Sequence, residues 1–193
     1  MRQDDSDLVT LLASDLDRHF AQLLLRYQHR LYAFVARQAG SSQEAEDIVQ
    51  EAFMQAYFAL ARYGPQQVRE LVLRPWLFKI ALNIFYGRMR KVRLPCVSLD
   101  LSQDGSHLAI EDDAASQPEV IAEGREAQRE LEALVSTLPE QYRAVVNLYY
   151  FEGLSYQEIA DLLTMPMGSV KSHLYRGIRR LRALLVTQQQ ERR

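Results

Sequence analysis

GLSYQEIADLLTMPMGSVKSHLYRGIRRLR, from Gly153 to Arg182, is the stretch whose reading decides the fold. Its first half predicts a short helix. Ser155 and Glu158 have the spacing of a capping box, in which hydroxyl and carboxylate each satisfy a backbone N–H that has no intrahelical partner. Leu154 and Ile159 add a hydrophobic staple, and Ile159, Leu162 and Leu163 supply the buried face. Pro166 offers no donor and disfavours helical geometry at Met165, so the helix should stop near Thr164. Gly168 and Ser169 then open a second helix.

At about 100° per residue the second helix divides into two chemically different faces. Val170, Leu174, Ile178, Leu181 and Leu185 fall on an apolar arc. Lys171, Ser172, Tyr175, Arg176, Arg179, Arg180 and Arg182 cover the other side, and no Asp or Glu occurs between Leu162 and Gln190. A short helix, a turn and an amphipathic basic helix make the helix-turn-helix layout, whose second helix enters the DNA major groove. A lone basic helix would read more simply as a solvated face. Cap, staple, breaker and acid-free basic face together favour a polyanion.

Around this stretch the chain has 193 residues, 48% hydrophobic and 25% charged, as expected for one large or two small globular domains. Cys96 is the only cysteine, so neither an intrachain disulfide nor a multi-cysteine zinc site can form and a reducing compartment is the natural default. The acidic start lacks the basic region of a signal peptide, and no apolar run approaches bilayer-spanning length, which predicts a cytoplasmic protein without membrane insertion. The net charge of −2 is unevenly spread: residues 94–124 hold seven acids and no Lys or Arg. A near-neutral total therefore leaves room for local binding of nucleic acid.

From the N-terminus, Phe20, Leu23, Leu24, Tyr27, Leu31, Phe34 and Val35 recur at helical spacing up to Gly40. Ser41 and Glu44 form a second capping box before a helix buried along Ala45, Ile48, Val49, Ala52, Phe53 and Ala56. Asp47, Gln50, Met54 and Phe58 line its opposite face. On pattern alone, that face reads equally well as a docking surface for a protein or as packing beneath the next loop. After the Gly64–Pro65 break, Pro75 suits the first turn of a helix carrying Trp76, Leu77, Ile80, Ala81, Ile84 and Phe85. Its end bears Arg88, Arg90, Lys91 and Arg93 beside Asn83 and Tyr86, a mixture of cations, aromatics and an amide suited to single-stranded or opened nucleic acid. Residues 94–124 lose helical periodicity and read as an extended acidic linker. Patterning resumes near Ala122, and Pro139 starts the helix that leads into the opening motif. The fold class is all-α: two small helical domains, 1–93 and 125–193, joined by the linker.

These segments resemble the extracytoplasmic-function class of bacterial RNA polymerase sigma factors. AEDIVQEAF and PWLFKIALN resemble its promoter-melting domain, while LPEQYRAVVNLYYFEGLSYQEIADLL and GSVKSHLYRGIRRLR resemble its C-terminal DNA-binding domain. The resemblance implies docking of Asp47, Gln50, Phe53 and Met54 on core RNA polymerase. It implies minus-ten recognition around Trp76 and Asn83, with Arg88, Arg90 and Lys91 on nearby phosphates. Ser169, Lys171, Ser172, His173, Tyr175 and Arg176 would meet the minus-thirty-five element of promoter DNA, with Arg179 and Arg180 on phosphates. It also leaves room for an anti-sigma partner. The Gly64 to Arg74 loop is long and apolar for the class and has space for a short extra helix. Gly87 stands where an acid is common, and Gly177 and Ile178 replace a more usual alanine and basic residue.

Two rivals are weaker. A free-standing helix-turn-helix regulator would need a dimer interface or sensor in its first domain, where this chain has the Asp47 face and an aromatic-basic helix. An enzyme would need a catalytic constellation, yet the four histidines are scattered without metal-ligand spacing and no nucleophile elbow, phosphate loop or dinucleotide fingerprint occurs. No catalytic residue, metal or cofactor is expected.

Overall fold

Backbone hydrogen bonding in every described element is helical, as the periodicities require. The computed structural model describes residues 3–93 and 131–191. The expected linker and Cys96 lie outside these residues, as does the onset of patterning near Ala122.

The first unit contains α1 (Gln3–Ser14), α2 (Leu16–Ala39), α3 (Ser42–Arg62), α4 (Pro65–Arg69) and α5 (Leu73–Arg93). The acidic start, where the sequence reading placed no helix, is helix α1. Its Leu8, Val9 and Leu12 are buried, and Asp5 accepts a hydrogen bond from the Tyr27 hydroxyl at 2.8 Å. Asp15 caps α2 by accepting from the Arg18 amide. Gly40 ends it at φ 73°, a left-handed conformation that relieves the last turn and suits a residue without Cβ. Ser41 caps α3 by accepting from the Glu44 amide at 3.4 Å, which is the hydroxyl half of the expected capping box. The apolar stripes of α2, α3 and α5 meet in one core, where Phe34 and Phe78 pack edge to face at 4.8 Å. The short helix for which the Gly64 to Arg74 loop had space is α4, with Pro65 in its first turn and Val68 buried.

The second unit comprises a helical segment over 131–136 (α6), α7 (Glu140–Val146), a π-helical turn (Asn147–Phe151), α8 (Tyr156–Leu163) and α9 (Met167–Glu191). The Ser155–Glu158 capping box is formed in both directions, and Thr164 closes α8 in the left-handed region at φ 55°. Leu174 and Leu181 are buried as expected, whereas Leu185, on the same arc, lies beyond the bundle and is exposed. α9 crosses α7 at Gly177, where an added Cβ would stand 2.7 Å from Val146 Cγ2.

The two units share a buried seam. α2 packs against α7 and the π turn, while α5 packs against α8. Arg37 in α2 donates from Nε to Asn147 Oδ1 at 2.7 Å, from Nη2 to Glu152 Oε1 at 3.1 Å and from Nη1 to Glu132 Oε1 at 3.1 Å. Its guanidinium also lies 4.2 Å from the centroid of the Phe151 ring. Arg30 donates to the second oxygen of Glu152, and Asn147 Nδ2 donates to the Phe34 carbonyl.

Two of the helical glycines, Gly87 and Gly177, make opposite predictions for urea unfolding. Gly87→Ala has open space around it and should stabilise the chain by about 0.5–1 kcal/mol through reduced backbone entropy. Gly177→Ala should lose about 1 kcal/mol net, because overpacking against buried Val146 exceeds the gain in helix propensity.

Candidate nucleic-acid interface

Helix α9 is positioned from beneath by its own apolar residues. Val170, Leu174 and Gly177 are buried, which turns Lys171, Tyr175, Arg176, Arg179, Arg180 and Arg182 outward. Tyr175 is the most exposed aromatic of this face at 68%. Lys171 Nζ sits 5.7 Å from the centroid of Tyr156, and Arg180 lies 5.6 Å from the Tyr142 centroid, so aromatic rings hold two of the cations in place. Arg176 also acts on Tyr142: hydrogen bonding to the hydroxyl holds its pKa below the usual phenol range.

Three expected readers are less open. Ser169 and Ser172 are half-buried. His173 is turned inward, with its ring 5.5 Å from Tyr142 in an edge contact and its Nδ1 buried without a hydrogen bond. Helical geometry explains this, because His173 adjoins buried Leu174 on the rim of the apolar arc. Tyr142 was not singled out as functional from sequence. It belongs to α7, and nothing in its local pattern says that three residues of α9 converge on it.

In the first unit, Asn83 and Arg90 are exposed on α5, Trp76 is half-buried beside Tyr63, and exposed Lys91 lies in the last turns. Asn83, Tyr86, Met89 and Arg90 line a cleft of about 440 Å³ together with Glu140 of the second unit. Burial, with Glu140 adding to it, pushes the Tyr86 phenol up to about 12. Arg88 does not project alone: it donates to Glu51 at 2.7 Å and lies 3.8 Å from Asp47. Glu51 was missed in the sequence because it stands at the edge of the α3 stripe, without a local signal of its partner.

The outer face of α3 has the composition expected of it. Asp47 and Gln50 are exposed, and Met54 and Phe58 are 57% and 58% accessible despite their size. Phe58 therefore does not pack under the following loop. Phe53, grouped with this set in the sequence, is only 6% exposed and supports the helix from below. Among the described residues, no group of three or more His, Cys, Asp or Glu could hold a metal ion, and no helix is long and apolar enough to cross a membrane.

Comparison with known proteins agrees with this layout. Residues 23–94 match the family described as sigma-70 region 2, and residues 128–181 match sigma-70 region 4. The chain is 31% identical over 182 residues to the RNA polymerase sigma-H factor of Pseudomonas aeruginosa, covering 91% of each protein. It is 32% identical to the ECF RNA polymerase sigma factor SigW of Bacillus subtilis, over 86% of this chain and 88% of the relative. Among solved structures, CnrH in complex with the cytosolic domain of CnrY gives a TM-score of 0.62 at 25% identity, covering 95% of this chain and 97% of that one. The sigma factor RpoE of Bartonella quintana, in complex with the anti-sigma factor NepR, gives 0.62 at 25% identity, covering 86% and 96%.

Ser155→Ala should cost about 1 kcal/mol in urea unfolding by leaving helix-start donors unmet, and Ser155→Asp should recover most of it. Equal stability of all three proteins would show that the cap does not set the start of α8.

Proposed function

The chain belongs to the extracytoplasmic-function class of the sigma-70 family of RNA polymerase sigma factors, and we propose that it divides promoter recognition between α5 and α9. It directs core RNA polymerase to promoters and initiates transcription there by binding DNA. The three parts are residues 1–93 for polymerase docking and the minus-ten element, 94–124 as tether, and 125–193 for the minus-thirty-five element.

The observation that carries the residue assignment is the outward, acid-free face of α9. Lys171, Tyr175 and Arg176, early in the helix, reach base edges, while Arg179 and Arg180 bind phosphates. Ser169 and Ser172 contribute from the rim, and His173 acts by packing on Tyr142. On α5, Asn83 and Trp76 take opened bases while Arg90, Lys91 and Arg88 bind the backbone, Arg88 after exchanging its contact with Glu51 for a phosphate. Asp47, Gln50 and Met54, supported by Phe53, dock on core polymerase. The relatives solved with CnrY and with an anti-sigma factor support an anti-sigma partner for this chain. The chain acts in the cytoplasm, as a recruiter without catalysis or cofactor of its own.

Run-off transcription with core polymerase and genomic fragments tests the reading. Defined transcripts should depend on the chain, and failure to stimulate any initiation would refute it. Charge reversal at Asp47 should weaken capture of core polymerase while preserving helicity. Arg179→Ala should lower the slope of log affinity against log salt by about 1 for a promoter bound by the complex, with little change in sequence preference.

A further inference from the structure

Gly177 of α9 stands where an alanine is more usual, and α7 passes directly over it. A Cβ there would lie 2.7 Å from Val146 Cγ2 and 3.4 Å from Tyr142 Cβ. Val146 and Tyr142 are one turn apart on α7, so both rest on the notch left by the missing side chain. Seated in this way, Tyr142 is 8% exposed and its ring lies along α9.

His173, Arg176, Gly177 and Arg180 fall within about 100° of one another around α9. The His173 ring meets the Tyr142 ring in an edge contact at 5.5 Å, and the Arg180 guanidinium lies 5.6 Å from the same centroid. The rise from His173 to Arg180 is about 10 Å, so the ring fills the span between them. Arg176 and the Gln141 side chain both act on the hydroxyl by hydrogen bonding, which holds the phenol below its ordinary range. His173 Nδ1 is buried without a hydrogen bond, so on this side the imidazole serves as a stop against the ring.

Packing alone asks for the ring and not for the hydroxyl, since phenylalanine would fill the same notch. The hydroxyl matters to Arg176. An arginine on an exposed helix face has many rotamers, whereas a tyrosine has few rotatable bonds and here sits on a fixed seat. Arg176 remains exposed. With one N–H held by the hydroxyl, the rest of its guanidinium fork can still meet paired acceptors on a base edge. A phosphate contact tolerates a swinging side chain, and a bidentate base contact does not. The anchor therefore acts on discrimination between bases more than on affinity.

We propose that Tyr142 is a positioning residue for DNA reading, whose hydroxyl fixes the direction in which Arg176 approaches its base pair and whose own place is set by Gly177. This rests on the reading of α9 as the helix that meets the minus-thirty-five element. Tyr142 acts through Arg176 and needs no contact of its own with DNA.

The test uses the full chain bound to core polymerase, on a promoter that the complex recognises. Competing duplexes carry each single base-pair change across the minus-thirty-five element, and relative affinities are read for the wild type, Tyr142→Phe, Arg176→Ala and the double variant. Arg176→Ala should flatten the preference at one base pair. Tyr142→Phe should flatten the preference at that same base pair by about fivefold, leave the other positions and the salt slope unchanged, and add nothing once Arg176 is alanine. Helicity checks that each variant folds. If Tyr142→Phe does not, Gly177→Ala, which pushes α7 off the notch, is read instead and should flatten the same base pair. An unchanged preference in the folded variant, a loss spread evenly over all sequences, or additive effects in the double variant overturn the proposal. If Arg176→Ala changes the preference and Tyr142→Phe does not, only the role of Tyr142 falls. If no base pair responds to Arg176→Ala, the assignment of Arg176 as a base reader falls, and the role of Tyr142 with it.

Discussion

A guanidinium removed from water must be met by acceptors around its planar fork, or its burial costs more than it returns. Arg37 is met by Asn147, Glu152 and Glu132, with the ring of Phe151 beside it. Much else follows from that requirement. The second unit must lie along α2, the chain must leave α7 through a π turn, and α8 must start where Gly153 and Ser155 allow. The small second unit, near the lower limit for independent folding, shares a core boundary with a larger neighbour.

The same contact connects stability to function. Partly exposed ion pairs such as Arg88 with Glu51 are more easily exchanged for phosphate than buried ones, because their net contribution in water is small. A buried pair exchanges only when the whole seam parts. The cations proposed to meet DNA are accordingly exposed or paired at the surface, and the buried charges Arg37 and Glu152 lie between the units. The outer face of α3 remains accessible while the two units are packed together.

Local chemistry was legible in the sequence and tertiary pairing was not. Ser155 with Glu158, Ser41, Gly40 and Pro166 act within a few residues of themselves, so helix starts and stops could be read directly. The basic face of α9 followed from periodicity alone. Helix α1 was missed because its buried residues, Leu8, Val9 and Leu12, are too few to outweigh the surrounding acids. Asn147 and Glu152 looked like ordinary members of an apolar helix, since their partner Arg37 lies 110 and 115 residues away. For the same reason the sequence suggested two heads on a tether, and could not indicate that they close on each other. His173, expected on the DNA-reading face, lies against Tyr142 because one step of helical rotation carries it from the basic face to the rim of the core.

The account makes promoter binding a property of the assembled complex, since polymerase must hold both units at once and so raise their effective concentration on DNA. The most direct measurement is footprinting of a responsive promoter duplex with the wild-type chain alone, core polymerase alone, and the two together. Protection spanning both elements should appear only with the two together. Sequence-specific protection by the chain alone would contradict the account and identify a free-standing DNA-binding regulator.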